Sequence, residues 1–200
     1  MKKNHLARKL SEVSDFREPK VNMEQYLTPA HLAADLVYTA YMQGDIEGRK
    51  VVDLGAGTGV LSIGSALIGG EVTAVEKDHD AVEQLKQNAE DFDVDVDIIE
   101  SDFTELDEKF DTVVMNPPFS VHSDLGIKFW DKAVDIGSSV YAISPRGQRS
   151  VIKDFVGNSG LTVVATEGYT ISLPPTFGFH TEASQDIEVD IIIAEQKEED

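Results

Sequence analysis

"VVDLGAGTGVLSIGSALIGG", Val51–Gly70, changes character twice within twenty residues. It opens as a short β-branched apolar run, crosses Gly55, Gly57 and Gly59 at every second position, and continues with apolar residues at helical spacing. β-branched side chains suit a buried strand, and glycine permits the positive φ and close backbone approach that a tight junction needs. The stretch therefore reads as strand, turn and helix, with the helix over Val60–Leu67. A strand that leads through a helix to a second strand implies a βαβ unit, a parallel sheet and a right-handed crossover.

The same alternation continues outward. "EVTAVE", "DVDIIES", "FDTVVMN" and "SSVYAIS" read as further buried strands, with helix-like segments at Asp78–Asp91 and about Leu125–Gly137. "LTVVATEGYTISL" and "DIEVDIIIAE" are strands joined by "SLPPTFGFHTEASQ", which reads as a loop, so these two are expected to form an antiparallel pair at one edge. Two helices precede the sheet, about Lys3–Val13 and Pro29–Tyr41, joined by "SDFREPKVNMEQYLT". Thr28 followed by Pro29 suits an N-cap with proline in the first helical position. The expectation is one α/β domain over residues 1–200: a helical segment at 1–45, a core at 46–195 with a seven-stranded, mostly parallel sheet covered by helices on both faces, and an acidic tail at 196–200.

The chain carries 37 acidic and 17 basic residues, a net charge of -20. Such a balance ordinarily opposes nucleic-acid binding. The acid is nevertheless spread along the chain, as in "DHDAVEQLKQNAEDFDVDVD", a pattern suited to concentrated salt, where a Debye length of about 3 Å at 1 M screens distant repulsion. A halophilic source is the expectation. With no cysteine and five scattered histidines, no disulfide or structural metal site is expected. No apolar run approaches the roughly 20 residues of a membrane span. "MKKNHLARKLSEV" lacks the apolar core of a signal peptide, so a cytoplasmic protein is expected.

In open α/β sheets ligands bind beyond the carboxyl ends of the strands. Four successive strands bring candidates to that rim. Asp53 and the glycines follow the first; their G-x-G-x-G spacing differs from the dinucleotide fingerprint, and an acid there suits a cationic or ammonium-bearing ligand such as S-adenosylmethionine. Glu76 ends the second strand, 23 positions after Asp53, where an acid can accept both ribose hydroxyls or simply open an acidic first helical turn. Asp102 and Phe103 follow the third; Asp102 reads equally as a cap or as an acceptor from an adenine amine, with Phe103 against its ring. Asn116, Pro117, Pro118 and Phe119 end the fourth. Two prolines end strand pairing and leave a stiff turn with no backbone donor of its own. The Asn116 side-chain carbonyl and the Pro117 main-chain carbonyl can then accept from a planar NH2 and favour the tetrahedral geometry it adopts in attacking a methyl group, while Phe119 offers a stacking face.

"DLGAGTG" with "NPPF" resembles the class I amino-methyltransferases of adenine N6 or glutamine amides. "FREPKVNMEQYLTPAHLAADLVY", "FDTVVMNPPF" and "DIEVDIII" are similar in order and spacing to the small-subunit ribosomal RNA adenine-N6 methyltransferase family of eukaryotes and archaea, over about Met1–Ile193. The resemblance implies a Rossmann-like methyltransferase fold and S-adenosyl-L-methionine as cofactor. It implies that Gln25, Tyr26 and Thr28 close over the cofactor, that Asp53, Gly55, Glu76 and Asp102 line its pocket, and that Asn116–Phe119 hold the target adenine. A small zinc-binding activator subunit that pairs with a sheet edge is implied in the same way. The late loop keeps Phe179 and His180 but lacks the family's lysines, which leaves Lys2, Lys3, Arg8 and Lys9 on the first helix and Arg146 and Arg149 after the fifth strand as the basic candidates; Arg146 reads as a phosphate contact or a surface arginine at a helix start, and His180 as a substrate contact or a loop-packing residue. A glutamine amide presents the same two donors to the same turn, and a non-catalytic scaffold is the reading from outside enzymology.

Overall fold

The computed structural model describes residues 1–119, 125–173 and 185–196. Among them, β1 (Lys50–Leu54), β2 (Glu71–Glu76), β3 (Val96–Glu100), β4 (Phe110–Met115), β5 (Gly137–Pro145), β6 (Leu161–Leu173) and β7 (Gln185–Gln196) form one sheet in the order β3-β2-β1-β4-β5-β7-β6. The first five strands pair in parallel, and β7 runs antiparallel to both β5 and β6. The helices are α1 (Lys3–Leu10), α2 (Ala30–Gln43), α3 (Val60–Leu67), α4 (His79–Asp91), α5 (Leu125–Ile136) and α6 (Arg149–Asn158).

Both faces of the central sheet are buried, as a parallel sheet requires. Along β4, Val113 and Met115 join a core with Phe129, Trp130 and Ile136 of α5 and Ile152 and Val156 of α6. Val114, pointing the opposite way, joins Leu6 and Leu10 of α1, Leu32 and Leu36 of α2, and Ile63 of α3. No helix among the described residues is long and apolar enough to cross a membrane.

The expected antiparallel edge pair is present, with the later strand on the inside. Val189, Ile191, Ile192, Ile193 and Ala194 of β7 are all buried, which needs cover on two faces, whereas Thr162, Val164, Thr166 and Thr170 of β6 are exposed and suit an edge. The sequence reading went no further at α6 than a helix start as one reading of Arg146 and gave the helix no bounds; only Ile152 and Val156 are buried there. It also ran α1 to Val13, beyond its end at Leu10, and placed Thr28 as a cap; Pro29 occupies the position before α2, with no side-chain bond to that helix.

The chain leaves β1 to build β2 and β3 on one side and returns to β4 on the other. This reversal opens a crevice between the carboxyl ends of β1 and β4. Leu54 of β1 lies beside Met115 of β4, so the glycine turn and Asn116 leave the sheet as neighbours.

Candidate active site

A cavity at this crevice is walled by the glycine turn, the ends of β2 and β4, and Phe16 and residues 22–28 of the strap that connects α1 to α2. Asp53 lies in its floor and is almost wholly buried. Its Oδ2 accepts from the Ser62 N–H at 3.0 Å and the Ser62 hydroxyl at 2.6 Å. Burial pushes the carboxyl up to about 7, against the pull of the Ser62 bonds and with added repulsion from Glu76. Glu76 is tied to the backbone: Oε2 accepts from Gly57 N–H, and Oε1 from Lys77 and Asp78 N–H, each at 2.9 Å. The glycine turn and the end of β2 are thereby locked together.

Gly57 adopts φ +55, and a Cβ there would stand 2.9 Å from Cζ of Phe16, whose ring lies against the turn. The strap is fastened on the α4 side by Ser14, whose N–H and carbonyl bond the Asn88 side chain at 3.2 and 2.9 Å, and by Arg17, which donates to Gln84 at 3.0 Å. Further along, the Gln25 amide donates to Asp78 at 2.5 Å, and the Lys20 ammonium pairs with Asp78 and with Asp80. Burial raises the Asp78 carboxyl, but Lys20 and Gln25 outweigh it and hold the group below the usual carboxylate range.

At the other end the strap meets the turn after β4. Asn116 Nδ2 donates to the Thr28 hydroxyl at 2.8 Å, and the Tyr26 hydroxyl donates to Asn116 Oδ1 at 3.2 Å. Thr28 is thus a partner of Asn116 rather than a helix cap. Burial raises the Tyr26 phenol far above its ordinary value, against the Asn116 bond and with the Glu24 charge assisting burial. Tyr26 therefore stays a donor, and the orientation of the Asn116 amide is set before any ligand arrives. The Phe119 ring lies against that of Tyr26, with centroids 5.8 Å apart and planes at 55°.

Gln25, Tyr26, Thr28, Asp53, Gly55, Gly57, Glu76, Phe103, Asn116 and Pro118 all line the cavity. Gly59, Asp102, Pro117, Phe119 and Arg146 do not. Gly59 is the N-cap of α3. Asp102 caps a short turn, with Oδ1 accepting from the Thr104 N–H at 3.1 Å and hydroxyl at 2.8 Å and Oδ2 3.5 Å from Lys77. Pro117 is buried, and Phe119 packs against Tyr26, which lines the cavity. Arg146 is turned away and pairs with Glu188 at 2.6 Å and with the fully buried Asp190 at 3.3 Å, which Arg149 also contacts at 2.7 Å. Phe179, His180 and the last four acidic-tail positions lie outside the described residues. Phe16, Glu24, Ser101 and Phe129 also line the cavity without having been anticipated. Phe129 stacks on Phe103 at 3.9 Å. Only "NMEQY", beside Gln25 and Tyr26, carried any local signal for one of these, Glu24.

The methyltransferase small domain family matches residues 33–163, which include both the glycine turn and Asn116–Phe119. The chain belongs to that family. This methyltransferase is also 34% identical, over 96% of its length and 98% of the relative's, to the Danio rerio protein named rRNA N(6)-adenosine-methyltransferase METTL5. Among solved structures it superposes with a TM-score of 0.92 on a candidate RNA methyltransferase from Pyrococcus horikoshii, at 38% identity and 98% coverage of both chains. The Synechocystis magnesium protoporphyrin IX methyltransferase, solved with bound SAM, shares the fold alone, with a TM-score of 0.63 at 18% identity over 80% of this chain and 77% of that one.

As a member of this family the methyltransferase draws its methyl group from S-adenosylmethionine. The cavity fits that group on its own evidence. Thr58 Oγ1 is buried in the wall with no partner in the protein, Asp53 and Glu76 supply negative charge for a cation, and the Phe103–Phe129 stack supplies an apolar face. Each of these is what an ammonium-bearing nucleoside would satisfy.

Proposed function

We propose that this methyltransferase modifies the N6 amino group of adenine in structured RNA, with small-subunit ribosomal RNA as its substrate. The observation that carries the reading is the donor-free turn after β4. It holds Asn116, already oriented by Thr28 and Tyr26, beside a cavity suited to the cofactor. The likeness to METTL5 along nearly the whole chain supports the adenine and the RNA.

In this reading Asp53, Gly55, Gly57, Glu76 and Phe103 hold the cofactor beneath Gln25 and Tyr26, and the cofactor supplies an electrophilic methyl. A carbonyl oxygen has two lone pairs, so Asn116 Oδ1 can accept from the target amine while keeping Tyr26. With the Pro117 carbonyl it holds the amine as its nitrogen becomes tetrahedral, and the surplus proton leaves to solvent. Phe119 takes the adenine ring. The acidic rim binds and needs no general base. The molecule works as one domain in a salt-adapted cytoplasm, where screening lessens repulsion between its acidic surface and phosphate. A small zinc-binding activator subunit is its partner at a sheet edge, β3 and β6 being the two edges.

The decisive assay transfers labelled methyl to ribosomal RNA from the same organism at low and molar salt, followed by nucleoside digestion. N6-methyladenosine is the expected product. Label in a protein fraction instead would move the assignment to a glutamine amide, and label in neither would overturn the catalytic reading.

Asp53 gives a pH test. Its folded-state pKa is raised from an ordinary 3.8 to about 7, so its contribution to the stability of the ligand-free protein is full below pH 3.8 and is lost as pH rises through 7. An ammonium ligand reverses the preference, because it needs the ionised carboxylate. S-adenosylhomocysteine should bind about tenfold more weakly at pH 6 than at pH 8. In Asp53→Asn that difference should disappear in a titration; its persistence would place the ammonium elsewhere.

A further inference from the structure

We propose that Glu24 is a positioning residue for methyl transfer: its carboxylate holds the main-chain N–H of Phe119 and so fixes the turn that presents Asn116. The inference rests on the role proposed above for that turn. Pro117 and Pro118 carry no N–H, so Phe119 supplies the first main-chain donor after Asn116. Glu24 Oε2 accepts from it at 2.7 Å, the length of a charge-assisted bond. The Phe119 carbonyl is taken from the opposite side by the Gln148 amide at 3.4 Å. Phe119 is thus gripped at both its donor and its acceptor.

The backbone at Glu24 reinforces the argument. Its φ of +50 lies in the left-handed region, which among the described non-glycine residues is shared only by Asp93. An L-residue with a long side chain is disfavoured there, and glycine would be the natural occupant if only the bend mattered. Glycine, however, would bring no carboxylate. Glu24 also directly precedes Gln25 and Tyr26, which bond Asp78 and Asn116. The bend therefore lets neighbouring strap residues reach opposite sides of the cavity, with the carboxylate aimed at Phe119.

Two consequences follow for the chemistry. A Phe119 N–H left free would be an unpaired donor in a turn proposed to bind an NH2, and the carboxylate takes that donor out of play. Releasing Phe119 would also let its ring leave Tyr26, loosening both the stacking face and the hydroxyl that orients Asn116.

The experiment compares Glu24→Gln, Glu24→Ala and Glu24→Gly by three readouts: amide hydrogen exchange at Phe119 by NMR, S-adenosylhomocysteine affinity, and kcat and KM for RNA. Phe119 should be protected in the wild type and exchange about tenfold faster or more in the alanine and glycine variants, with kcat falling about tenfold to a hundredfold. Cofactor affinity should change less than about threefold. Glutamine retains an acceptor and should restore most of both protection and kcat. A role confined to backbone shape predicts the reverse, full activity in Glu24→Gly, and that result would overturn the proposal, as would unchanged exchange at Phe119 in Glu24→Ala. Should the wild type transfer no methyl to RNA, the substrate assignment falls, and the exchange comparison still decides whether Glu24 fixes the turn.

Discussion

Asn116→Ala is expected to lower kcat by about a hundredfold to a thousandfold while S-adenosylhomocysteine binds within about twofold of the wild type. The magnitude is that of removing one preorganised polar group aimed at a transition state. The separation between rate and affinity follows from geometry. The acids proposed to hold the cofactor, Asp53 and Glu76, are themselves held by Ser62 and by the backbone of Gly57, Lys77 and Asp78, none of which depends on Asn116. The substitution does strip a partner from Thr28 and from the buried Tyr26 hydroxyl, at about 1–2 kcal/mol of stability. Thermal unfolding should accordingly be run beside single-turnover methyl transfer. A rate near that of the wild type would remove Asn116 from the chemistry.

Gly59→Ala is expected to cost about 3 kcal/mol and to lower Tm by about 6–12 °C. Two effects add. The backbone at Gly59 has φ +91, beyond the small left-handed region open to other residues, and an alanine Cβ would stand 2.8 Å from Cγ of Leu85. Leu85 is fully buried in α4, so it cannot yield as an exposed side chain could. Calorimetry checks the figure; a shift of less than about 2 °C would mean that α4 retreats without loss.

The contrast between Gly57 and Gly59 shows what a sequence can and cannot convey. Their spacing announces a tight turn, because glycine's conformational freedom is a property of the residue itself. What each glycine makes room for belongs to partners far along the chain: Phe16 for Gly57 and Leu85 for Gly59. The strand-to-helix rhythm and the rim position of Asp53, Glu76 and Asn116 were legible for the same local reason. The helix α6 was not, since two buried residues set in polar sequence carry little periodic signal. Arg146 read as free because its acids, Glu188 and Asp190, lie more than 40 positions onward, on a strand whose inner placement only the sheet order reveals. Thr28 was read by its neighbour Pro29, while its actual partner is 88 positions away.

The strap that closes the cavity is anchored at both ends by helices whose Leu6, Leu10, Leu32 and Leu36 are fully buried. It is therefore an internal loop and cannot swing free like a terminal tail. Releasing its bonds to the rim lets it bulge outward while its ends stay put, so the entropy of bringing those ends together is already spent before each reclosure. Exchange of spent cofactor for fresh can then proceed by a local opening well below the free energy of global unfolding, with the sheet and its helices intact throughout.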